Sequence, residues 1–125
     1  MVGLLLAGTG GFIGSAARHL VRVGMQRFYP DERFPFATLF VNIAGCFLIG
    51  WLAGFIDVRG RMSENTRIFL MTGILGGFTT FSAFGYDAWA LWREAAFGSA
   101  ILYVVITIVV GLAAVRVGMT AAGMP

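Results

Sequence analysis

Asn42 is the single strongly polar side chain in a charge-free apolar stretch. An amide buried in lipid is costly, so it must face protein or water. Its two N–H groups suit a hydrogen bond between helices, and they suit equally a passing anion. Phe81 and Phe84 recur three apart and share a helical face. Ordinary packing accounts for such a pair. An anion path does too, because the edge of an aromatic ring carries positive charge. Ser82 and Thr80 add hydroxyl donors beside the rings. Tyr103 and Thr107, four apart, share a face that either lines a wet track or pairs with other helices. Arg18 and Arg22 share a face at the end of the first apolar run. There they snorkel to headgroups, or Arg18 draws anions inward as an electropositive funnel. Together these side chains suit the handling of a small anion by many weak donors rather than by a fixed charge.

The stretch that must position them is 73–87, GILGGFTTFSAFGYD. It lies in a run long enough to cross a membrane, yet it is a poor uninterrupted helix. Gly73, Gly76 and Gly77 each weaken a helix by roughly 1 kcal/mol relative to alanine. Thr79 and Thr80 offer hydroxyls that compete for backbone hydrogen bonds. In lipid, irregular backbone survives only where it is buried in protein or lines a wet cavity. A break here is therefore an expected ion or substrate site; a glycine-rich packing face is the plainer reading.

Composition sets the class. Of the 125 residues, 58% are hydrophobic and 12% charged, and the mean hydropathy is +0.85. Soluble domains are about 45–50% apolar. One small membrane domain over 1–125 is expected. All nine basic residues are arginine, giving a net charge of +3. No basic run interleaved with aromatics points to nucleic acid. Cys46 is the only cysteine and reads as a small buried hydrophobe. The first run lacks the positive start of a cleaved signal and reads as retained. Enzyme triads, phosphate loops and metal motifs are absent, so no enzyme is expected. The stretch 8–14, GTGGFIG, looks like a dinucleotide fingerprint but follows no strand. His19 has no ligand partners around it, and Asp87 is the only carboxylate near the middle of an apolar segment.

A spanning helix needs about 20 apolar residues. Four segments qualify, at 2–24, 34–56, 65–92 and 95–117. The connections fall at 29–35, 57–61 and 92–94, with Ser63 among the possible caps of the third helix. Four spans place Arg59, Arg61, Arg67 and Arg116 on one side of the bilayer, against Arg18, Arg22, Arg27, Arg33 and Arg93 on the other. Orientation normally follows an excess of cytoplasmic Lys and Arg, and here there is almost none. Insertion both ways and pairing as an antiparallel dimer is the expectation, because four short helices alone hardly enclose a pathway. Gly10-x-x-x-Gly14 and Gly50-x-x-x-Gly54 mark close helix contacts and are taken as support for an oligomer, although the spacing does not say whether the contact lies within one chain or between two. No repeat relates the two halves.

The stretch 73–84, GILGGFTTFSAF, resembles the signature of the Fluc fluoride channels, also called CrcB-like proteins. Gly10-Gly11-Phe12-Ile13-Gly14 through Arg18, and 38–45, TLFVNIAG, add to the match. The likeness covers nearly the whole chain. It implies a four-helix, multi-pass protein of the cell inner membrane, assembled as an antiparallel dual-topology homodimer with two fluoride pores. It implies a third helix broken in its middle, where carbonyls of Gly76 and Thr79 from both subunits hold a structural sodium ion. Phe81 and Phe84 would line the pores, with Ser82 and Thr80 as nearby hydroxyls. Asn42 would face them, Arg18 would lie near the vestibule, and Tyr103 and Thr107 would form the polar track. Gly111, next on that face, departs from relatives that carry a hydroxyl there. The implied function is passive exit of toxic cytoplasmic fluoride. A proton-coupled dual-topology exporter is the first alternative, but it needs a titratable relay within the span. A non-transporting scaffold is the second, and it would need neither Asn42 nor a broken helix.

Overall fold

The computed structural model describes residues 1–30, 33–60 and 62–125. Asp31, Glu32 and Arg61, which the sequence puts in the connections, lie outside the described residues. Every regular element among them is helical. We label them α1 (Val2–Gln26), α2 (Phe36–Arg59), α3 (64–78), α4 (Phe81–Arg93) and α5 (Phe97–Ala121).

Among the described residues, three units are long and apolar enough to cross a membrane: Phe36–Arg59, Glu64–Arg93 and Phe97–Ala121. The middle unit comprises α3 and α4 together. The sequence expects four such spans. α1 has the length, 25 residues or about 37 Å at 1.5 Å per residue. Its glycines and the Arg18–His19 pair dilute its apolar character.

Local chemistry sets the ends. Gly60 closes α2 in the left-handed conformation, φ 62°, and its N–H donates to the Ile56 carbonyl at 2.7 Å. Ser63 caps α3, accepting from the Thr66 N–H at 3.2 Å. The turn from α4 to α5 is only three residues long, 94–96, and holds Ala95 at φ 58°. Within α3, residues Ile68–Leu75 form a π-helix, an uncommon geometry that tends to mark functional sites.

α1 packs on α3, and α2 packs on α5. Both contacts are made by glycine. A β-carbon built on Gly10 would fall 2.6 Å from the Phe69 carbonyl oxygen, and one on Gly14 would strike the Ile74 oxygen. On α2, a β-carbon built on Gly50 would strike the Val115 carbonyl, and one on Gly54 would fall 2.9 Å from the Met119 oxygen. Both glycine pairs are therefore spent inside one chain. The spacing records only that two backbones approach, so these motifs are not support for an oligomer, contrary to the expectation from sequence. The core is small. Leu91, Ala100 and Tyr103 are buried, with Phe84 and Phe34 packed on them. Most other large apolar side chains face outward, as befits a chain solvated by lipid.

Candidate functional site

The helix that begins at Glu64 stops at Phe78 and restarts at Phe81. Between them Thr79 (ψ 159°) and Thr80 (φ −155°, ψ 112°) are extended. Side chains take over the backbone groups that the break releases. The Thr80 N–H donates to Asn42 Oδ1 at 2.8 Å, and Asn42 Nδ2 donates back to the Thr80 carbonyl at 3.2 Å. One side-chain amide thus pairs with both backbone groups of one residue. Thr80 Oγ1 caps α4 by accepting from the Ala83 N–H at 3.1 Å, and it lies 3.3 Å from Ser82 Oγ. Thr79 Oγ1 donates to the Leu75 carbonyl at 2.9 Å, and Ser15 Oγ donates to Gly77 O at 3.4 Å.

The carbonyls of Gly76 and Thr79 are among those that lose their helical partners here. In an unbroken helix the Thr80 N–H would close on the Gly76 carbonyl, and the Ala83 N–H on the Thr79 carbonyl. Asn42 has captured the first donor and the Thr80 hydroxyl the second. No group of three His, Cys, Asp or Glu able to hold a metal exists among the described residues. Freed backbone oxygens are thus the hard-ligand set the break provides, and they fit a small cation such as sodium.

Three cavities meet at Thr80. The largely apolar one, about 380 Å³, is lined by Asn42, Phe81, Phe84, Thr107, Thr79 and Gly76, among others. The second, about 360 Å³, holds Arg18, Arg22, Ser15 and Thr38. The third, about 440 Å³, holds Arg18, Arg22, Ser82 and Asp87. Arginine-lined space therefore adjoins phenylalanine-lined space across one threonine.

The two phenylalanines stand differently. Phe81 is 84% exposed on the single chain. Phe84 packs on Tyr103, ring centroids 5.4 Å apart, and lies 5.6 Å from the Phe81 ring. Tyr103 has no exposed surface and lines none of the three cavities, and its hydroxyl finds no hydrogen-bond partner among the described residues. Thr107 does reach the 380 Å³ cavity, but its hydroxyl donates to the Tyr103 carbonyl at 2.7 Å. The cavity therefore meets its lone pairs and not its hydrogen. Asn42, likewise, has one N–H committed to Thr80 and one left for the cavity.

Sequence reasoning missed Cys46. It is half-buried and lines the cavity with Asn42, rather than filling a core. Its Sγ lies 3.4 Å from where a Gly111 side chain would begin, so the thiol takes up the space that Gly111 leaves. Thr38, a lining residue of both arginine cavities, was also passed over as a site residue. The spacing of Thr38, Asn42 and Cys46, each four apart on α2, was the signal that could have found them.

A family model described as "CrcB-like protein, Camphor Resistance (CrcB)" matches residues 5–119. A protein of Methylobacillus flagellatus named fluoride-specific ion channel FluC is 47% identical over 118 residues, which is 94% of this chain and 92% of the relative. Proteins of the same name are 45% identical in Agrobacterium fabrum, over 95% of this chain and 94% of theirs, and 47% in Rhizobium meliloti, over 93% and 92%.

Proposed function

The chain belongs to the CrcB-like family, the Fluc fluoride channels, and from that premise we propose that it is a fluoride-selective passive channel. The observation that carries the reading is the junction at Thr80, where the cavity of Asn42, Phe81 and Phe84 adjoins the cavities of Arg18 and Arg22. Relatives with up to 47% identity that bear the channel name support fluoride as the ion.

In this reading α1 is the fourth span, and two chains pair antiparallel in the inner membrane. The nearly even arginines support both insertions. The outward-facing Phe81 supports a pore wall completed by a second copy, giving two pores per dimer. The Gly76 and Thr79 carbonyls of both copies meet at the dimer centre, four oxygens in all. A sodium ion bound there offsets their negative ends and ties the copies together.

The pore works by balance. Fluoride holds its water tightly, so the path must replace hydration with many donors, none strong enough to trap the ion. Arg18 and Arg22 raise the local anion concentration at the mouth. The free N–H of Asn42, the Ser82 and Thr80 hydroxyls and the ring edges of Phe81 and Phe84 receive the ion past the break. Tyr103 acts from behind Phe84, holding its ring in place.

A liposome efflux assay with a fluoride electrode tests this. Purified protein should release fluoride far faster than chloride, with or without a proton gradient. Release that required the gradient, and survived loss of both phenylalanines, would replace the channel with a proton-coupled exporter.

A further inference from the structure

We propose that Asn42 is a positioning residue that joins the cation site to the anion cavity: by capturing the Thr80 N–H it keeps the third helix broken and leaves the Gly76 carbonyl free. The proposal rests on the channel reading for its functional meaning, but its core is structural.

The hydrogen bonds carry the argument. A helix re-forms across a break only if the displaced N–H can return to the carbonyl four residues back. At this break that N–H is Thr80's, and the waiting acceptor is Gly76 O. Asn42 Oδ1 holds the N–H at 2.8 Å from 38 residues away in sequence. Its Nδ2 holds the other backbone group of the same residue, the Thr80 carbonyl, at 3.2 Å. The two bonds hold the peptide planes on either side of the Thr80 Cα, and with them the direction of the backbone entering α4. The second Nδ2 hydrogen stays in the cavity with Phe81 and Phe84. One amide therefore sets the oxygen that a cation needs and offers the donor that an anion needs.

The two halves of the amide can be separated by substitution. In Asn42→Asp an oxygen still accepts the Thr80 N–H, so Gly76 O stays free, but the donor is lost and a carboxylate faces the anion cavity. In Asn42→Ala nothing holds the Thr80 N–H, so the break fluctuates: the N–H is intermittently bare and intermittently recaptured by Gly76 O. Neither variant alters Gly76 or Thr79.

Two readouts decide the matter, one of them independent of transport. The first is amide exchange at Thr80, followed by NMR on the full-length protein in detergent. The wild-type amide should be protected through its bond to Asn42, and Asn42→Asp should keep that protection. In Asn42→Ala the amide should exchange measurably faster when sodium is present, because the broken helix then lacks its clamp. An amide at Thr80 that exchanges freely in the wild type, or identically in Asn42→Ala, overturns the proposal. The second is the rise in melting temperature when sodium replaces a large organic cation. It should be kept in Asn42→Asp and be much reduced in Asn42→Ala, while fluoride efflux is lost in both. A sodium response kept in Asn42→Ala, or lost in Asn42→Asp, overturns the coupling. A wild type without any sodium response defeats the cation reading instead, and the exchange measurement still decides whether Asn42 clamps the break.

Discussion

Gly10 and Gly73 face each other so closely that a β-carbon built on either falls 2.9 Å from the Cα of the other. This contact seats α1 on α3 one turn before the break. Replacing either glycine with alanine should force the helices apart and cost about 1–3 kcal/mol. Gly8→Ala is the control, since nothing lies within 4 Å of its added carbon. Thermal melts in detergent that ranked the three variants alike would remove the contact from the account.

The two phenylalanines should separate by assay. Phe81→Ile and Phe84→Ile should each lower fluoride efflux about tenfold or more, the effect of an interaction of roughly 1.4 kcal/mol. Phe84→Ile should also lower stability the more, because Phe84 packs on the buried Tyr103 of its own chain, whereas Phe81 is 84% exposed on the single chain. Equal melting temperatures for the two variants would contradict that division.

Thr107→Val should leave efflux within a few-fold of wild type. The threonine hydrogen already goes to the Tyr103 carbonyl, and valine keeps the shape. Gly111→Ser should also be tolerated, since its β-carbon meets Cys46 Sγ at 3.4 Å, the edge of ordinary contact. A dead Thr107→Val channel would show that the hydroxyl turns to the ion during passage.

Orientation should respond to charge. With arginines nearly balanced, a pair of lysines added to the connection between α2 and α3 should bias insertion one way and reduce functional dimer. Accessibility labelling of a tag cysteine, in wild-type cells, should mark both faces. Labelling from a single face would end the dual-topology proposal.

Sodium withdrawal should destabilise the assembled dimer. Thr79→Ser should be mild, because the ligand is a backbone oxygen and serine can still donate to Leu75 as Thr79 does. Unchanged dimer and efflux after exhaustive sodium removal would count against a structural ion.

The sequence alone determined the membrane class, the weak point near 76–80 and the family. Each of these is carried by local composition or by a contiguous motif. What partners those residues take was settled only by the tertiary structure. The glycine spacings on α1 and α2 encode close approach and nothing about the other helix, so their use within one chain could not be read from them. Asn42 meets Thr80 across 38 positions, a pairing no local pattern specifies. Thr107 shares a helical face with Tyr103, as its spacing requires, yet its hydroxyl turns to the backbone. A helical threonine can always satisfy itself on the carbonyl four residues back, and only its surroundings decide whether it does.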